Sequence, residues 1–233
     1  MSAPAAATAD VALGARLALG GLSLRTPWVA SALGFVVVVL ASLLERTREP
    51  AYAADRALLG AALGVVVPLV CYALFESVHR KESTTALIEP LARHGADRRR
   101  LSLGVSSMLA LSCAGASAFF TVTAAIGAHG FGDPNVASDA LASLWGGGLA
   151  GGAYAGLLAV ASRFGRRGRI VALVLDWLFG SSAGFLALPW PRAHARNLFG
   201  GEPVLDSSQA VAALVLAALA LVGTILAAAR EAR

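Results

Sequence analysis

The chain has 233 residues, 57% of them hydrophobic and 14% charged, with a mean hydropathy of +0.70 and a formal charge of +5. Soluble domains carry about 25% charged residues, so this composition excludes a water-soluble core and points to a single membrane domain. The surplus arginines gather between apolar blocks, which argues for membrane topology and against nucleic acid as a partner.

Residues 1–25 come first. Asp10 and Arg16 interrupt their apolar run and no basic leader precedes it, so they do not read as a signal peptide. Val11–Leu24 is too short and too charged for a span, and an amphipathic helix lying along the inner interface fits it best. A mobile tail is the other reading, because Gly14, Gly20 and Gly21 weaken helix formation.

An all-α, six-span bundle is expected over residues 26–229, with spans at about 27–44, 57–75, 101–127, 140–162, 170–189 and 207–229 and a tail at 230–233. The first opens on Pro27 with Trp28 at interface depth. The second contains Pro68, which removes a backbone hydrogen bond, and a bilayer span tolerates that when a neighbour covers the freed carbonyl. The third exceeds the roughly 20 residues a bilayer needs, so it must tilt or emerge. In the fourth, Gly148, Gly152 and Gly156 recur every four residues and form a smooth packing face, within one chain or across a dimer.

Between the second and third spans lies Glu76–Arg100, which holds six of the nineteen basic residues yet has Ala86, Leu87, Ile88 and Leu91 at its centre. It is too charged to enter a bilayer and too apolar for a featureless linker, so it reads as a short structured element. The apolar centre suits a groove on a partner, or packing onto the chain's own bundle. Alternate inter-span segments, beginning with the N-terminus, hold 14 of the 19 Lys and Arg. The positive-inside rule therefore places both termini, this loop and the Arg163–Arg169 turn in the cytoplasm. The flanking arginines suit acidic groups on a partner or anionic membrane lipids.

Asp176 is the one acidic residue well inside a span. Such a group faces a bundle interior or a water-filled cavity. It is either a pathway residue or the partner of an arginine such as Arg169 or one from the loop, and pairing is the favoured reading. The four histidines, at 79, 94, 129 and 194, fall in polar segments and read as solvated. Cys71 and Cys113 sit in apolar runs without metal-ligand spacing. Gly180-Ser181-Ser182-Ala183 departs from an intramembrane serine protease motif, and the sixth span has no histidine. The single lysine, Lys81, belongs to no phosphate-binding loop. Catalysis, a metal and a cofactor are therefore not expected in this chain.

The cytoplasmic loop reads Glu82, Thr84-Thr85, Leu87-Ile88, Pro90, Arg93, with Gly104 in the next helix. In that order it resembles the coupling-helix signature of ABC-2-type transporter permeases, although Thr84 stands where the family has glycine and the spacing around Pro90 differs. Those proteins are six-span subunits of about this length, with both termini inside, an interfacial helix first, and short half-helices between spans five and six. The resemblance implies a permease in a bacterial inner membrane that pairs with a second permease copy or a homologous permease. It also implies an ABC ATPase subunit that binds ATP and Mg and receives Glu82, Thr85, Leu87, Ile88, Pro90, Leu91 and Arg93. A scaffold recruiting another cytoplasmic protein is the main rival, and a channel or secondary carrier the second. An ion-coupled carrier normally needs more intramembrane charge than this chain has.

Overall fold

The computed structural model describes residues 3–80 and 82–229, with side chains from residue 8 onward; Lys81 and the expected tail 230–233 lie outside the described residues. Every regular element among the described residues is helical. In chain order, apart from four three-residue 3₁₀ turns, they are α1 (Ala3–Leu22), α2 (Arg25–Arg48), α3 (Ala53–Arg56), a π-helical segment (Ala57–Val66), α4 (Val67–His79), α5 (Thr84–Ala92), α6 (Arg98–His129), α7 (Val136–Ala161), α8 (Gly165–Phe179), α9 (Pro191–Leu198) and α10 (Gln209–Ala229).

Among the described residues, five stretches are long and apolar enough to cross a membrane: Arg25–Arg48, Pro50–Ala92, Arg98–His129, Val136–Phe179 and Gln209–Ala229. The most apolar windows of the first and last are only 22% buried, and Leu33, Leu40, Leu214 and Leu221 stand exposed along them. Apolar surface this extensive suits lipid as the surrounding solvent and would be an aggregation hazard in water.

The chain folds back inside the fourth stretch. Tyr154 Oη donates to Asp176 Oδ2 at 2.9 Å, whereas residues 22 apart on one straight helix would be about 33 Å apart. The reversal falls at Ser162–Gly165, where Gly165 takes φ +64°, so α7 and α8 are two arms of a hairpin. The returning arm is short. The fifth expected span, 170–189, is continuously helical only as far as Phe179, and the 15 residues of α8 reach about 22 Å against a hydrocarbon core of about 30 Å. Gly180, Gly184 and Pro189 interrupt the helical run, and the eight-residue α9 then starts on Pro191, a residue suited to a helix's first turn.

At the centre is α6, whose 32 residues span about 48 Å; it packs against α1, α2, α4, α7 and α10. Small residues permit these approaches. Gly14 of α1 lies on the backbone of Leu101, and Gly156 of α7 meets Gly223 and Leu219 of α10. The expected glycine face therefore divides. Gly156 and Gly152 look toward α10 within the same chain, while a methyl on Gly148 would meet nothing within 4 Å. Gly156→Leu should destabilise the bundle by about 1–3 kcal/mol through overpacking. Gly148→Ala should stay within about 0.5 kcal/mol of wild type. Detergent unfolding midpoints compare the two, and equal effects would remove the α7–α10 contact as the reason for Gly156.

Pro68 has no N–H to offer the carbonyl four residues back, that of Gly64. That oxygen accepts instead from Arg192 Nη2 at 2.7 Å. A neighbour thus covers the freed carbonyl, and the helix above it runs in the wider π register, with Val67 N–H donating to Ala62 O.

Candidate functional site

Two groups of buried polar residues stand out against the apolar bundle. The first anchors the arginine-rich loop. Ser83 caps α5, its Oγ accepting from Ala86 N–H at 3.3 Å, and Asp97 caps α6, its Oδ1 accepting from Arg100 N–H at 2.9 Å. Serine and aspartate in extended conformation before a helix satisfy otherwise orphaned backbone donors, so local chemistry makes α5 a separate helix. Arg80, at φ +47°, turns the chain out of α4 toward it.

Within α5, Ile88 is fully buried and Thr84 nearly so, while Leu87 and Leu91 lean on the same core. The apolar centre therefore packs onto the chain's own bundle rather than standing free. The outward face carries Thr85, Ala86, Pro90 and Arg93, all exposed. Glu89 crosses it, pairing with Arg93 at 3.1 Å and with Arg98 at 2.7 Å. Glu82 is also exposed.

Behind the loop stands Arg169, whose side chain is 0% exposed. Its Nη2 and Nε donate to Glu76 Oε1 at 2.6 and 3.0 Å, and Nη1 donates to the Glu82 carbonyl at 3.2 Å. One guanidinium thus joins the end of α4, the entry to α5 and the start of α8. The Arg166 guanidinium adds a looser contact to Glu76 at 3.7 Å and donates to Tyr72 Oη at 3.4 Å. His79 completes the anchor. Its Nδ1 lies 3.0 Å from Phe75 O, its Nε2 lies 3.3 Å from Thr84 Oγ1, and its ring stacks on Phe75. His79 and His194 are 2% and 1% exposed, which corrects the expectation that all four histidines are solvated; His79 closes α4 and His194 lies within α9.

The second group surrounds Asp176, itself fully buried. Its Oδ2 takes Tyr154 Oη and, at 3.4 Å, Arg192 Nε, while Oδ1 accepts from the Arg192 backbone N–H at 3.0 Å. That N–H belongs to the first turn of α9, where a carboxylate is favoured by the helix dipole. The arginine partner of Asp176 is thus Arg192 of the following segment. Arg169 is committed to Glu76, and α8 separates the two groups by seven residues, about 10 Å.

At the far end of α6, His129 Nδ1 lies 2.8 Å from Asp133 Oδ2. Its Nε2 is equally close to Asp139, at an angle unsuited to a hydrogen bond. The Asn135 backbone N–H and then His129 hold the Asp133 carboxyl below its ordinary range.

Neither Ser181 nor Ser182 bonds a histidine; each donates back to its own helix, to Trp177 O and Phe179 O. Through hydrogen bonds and ion pairs the two groups tie together five segments, α4, α5, α7, α8 and α9. Glu76, Glu89, Tyr154 and Arg192 escape the sequence reading, which offers Arg169 as a partner for Asp176 rather than for Glu76. The signal available for them was polarity beside an apolar block, which marks a position without naming its partner. No protein-family model, curated protein or solved structure matches this chain.

Proposed function

We propose that the chain is the transmembrane permease subunit of an ABC-2-type transporter, driven by ATP hydrolysed with Mg in a separate subunit. In this reading α5 is the coupling helix, the arginine-rich end faces the cytoplasm of a bacterial inner membrane, and a second permease copy completes the pathway. The observation that carries it is the placement of α5, a capped helix between two long apolar helices, with an exposed outer face of Thr85, Ala86, Pro90 and Arg93 and its entry pinned through Arg169. Rigid-body movement of α5 by a motor would reach α8, and through Asp176 the half-helix α9. The interruption between α8 and α9 supports the same reading, since non-helical backbone at membrane depth belongs where protein or a cavity shelters it.

The buried Ile88 dictates how this is tested. Deleting α5 would empty part of the core, so the substitutions belong on the outer face. Ala86→Glu with Pro90→Glu should cut capture of an ABC ATPase from the native membrane at least tenfold while leaving the detergent elution profile unchanged. Undiminished capture by the double variant would defeat the assignment of α5. Capture of a non-hydrolysing cytoplasmic protein instead would establish the scaffold reading.

A further inference from the structure

A cavity of about 570 Å³ opens between α1, the end of α4 and the start of α5, lined by Arg16, Leu17, His79, Arg80, Glu82 and Leu87 among others. Its volume falls in the range of small-molecule sites, about 300–1,000 Å³. Two guanidiniums and one carboxylate share it. The Arg16 and Arg80 side chains and the Glu82 carboxylate have no ion-pair or hydrogen-bond partner among the described residues. The other arginines at this end with close acidic neighbours, Arg93, Arg98, Arg166 and Arg169, are engaged with them. His79 is occupied on both ring nitrogens, so it brings no spare donor.

Depth identifies the occupant. About one turn further along α1, Leu19 and Leu22 join Pro27, Trp28, Leu74 and Met108 around a separate, almost wholly apolar hollow. Trp28 is 71% exposed there, and tryptophan concentrates at the water–hydrocarbon boundary. Arg16 and Arg80 line the cavity next to that hollow, a position that suits a lipid headgroup, with Leu17 and Leu87 offering apolar wall beside them.

We propose that this cavity binds one glycerophospholipid by its headgroup. Arg16 and Arg80 take the phosphate oxygens, as guanidiniums do with fork geometry, and the Glu82 carboxylate takes a primary ammonium. A phosphoethanolamine headgroup presents that pair of charges. A phosphocholine lacks the N–H to donate, and a phosphoglycerol meets Glu82 with no cation. The site stands independently of what the bundle transports.

The test is native mass spectrometry of the full chain released from micelles doped with equal amounts of phosphatidylethanolamine, phosphatidylglycerol and phosphatidylcholine. One phosphatidylethanolamine should be retained preferentially. Arg16→Gln and Arg80→Gln should each weaken retention about fivefold, in line with the contribution of one basic residue to an anionic headgroup. Glu82→Gln should abolish the preference over phosphatidylglycerol, and Arg99→Gln should match wild type. All four substituted side chains are exposed or lie at the interface, and an unchanged elution profile confirms the fold. Equal retention of the three lipids, or no loss in the arginine variants, would overturn the site. Displacement of the lipid by millimolar inorganic phosphate would assign the cavity to a soluble anion instead, which also defeats the proposal.

Discussion

Arg192→Met should destabilise the bundle by about 3–5 kcal/mol, the range for breaking one side of a buried ion pair. The substitution keeps the length and apolar stem of the side chain and removes only what the guanidinium does. Asp176, with a side chain 1% exposed, then holds a buried charge facing Tyr154 Oη and one backbone N–H. The Gly64 carbonyl loses its donor at the same time. That second loss has its own remedy in the backbone. Pro68→Ala restores an N–H four residues on, so the pair Arg192→Met/Pro68→Ala should regain about 1 kcal/mol, the net contribution of one hydrogen bond. Unfolding midpoints in mixed detergent micelles measure all three variants. No rescue by Pro68→Ala would mean that the proline and the arginine are unconnected.

Arg169→Ala should cost about 3 kcal/mol, the low end of the same range, because Glu76 keeps a weak contact with Arg166 and a side chain 16% exposed. Its effect on the loop is larger than its effect on the bundle. Arg169 sits in the second turn of α8, where a cation opposes the helix dipole, and the two bonds to Glu76 offset that. The third bond, to the Glu82 carbonyl, ties the entry of α5 to α8. Arg169→Lys keeps the charge without the fork, so it should hold Glu76 and release Glu82. Limited proteolysis between Arg80 and Arg100 should then accelerate at least fivefold in Arg169→Ala and less in Arg169→Lys, with Glu76→Gln nearer wild type. Equal cleavage across the series would show that α5 is held by Ile88 alone.

Much of the local architecture was legible without coordinates. The need for a neighbour to cover a freed carbonyl follows from Pro68, whereas the caps Ser83 and Asp97, which open α5 and α6, became visible only in the structure. The segment of mixed character at Glu76–Arg100 does contain a helix. Its orientation was not legible: Ala86, Leu87, Ile88 and Leu91 look like one apolar surface on paper, and the fold turns Ile88 inward and leaves Ala86 outside. Four apolar residues in one turn and a half define no unique face. The short reach of α8 was hidden for a related reason, since Phe185, Leu186 and Leu188 continue the apolar composition after the helix has ended.

The amino-acid order alone determined the solvent this chain prefers, because bulk transfer of apolar side chains depends on composition and not on neighbours. It also determined where helices start and stop wherever a cap or a proline acts within four residues. Partnership across the bundle was decided only by the tertiary structure. Arg169 finds Glu76 across 93 residues and Arg192 finds Gly64 across 128. Each pairing depends on the rotation and depth of two helices set by packing elsewhere. In a medium where an unpaired charge is costly, such distant meetings settle which polar residues the bundle can hold.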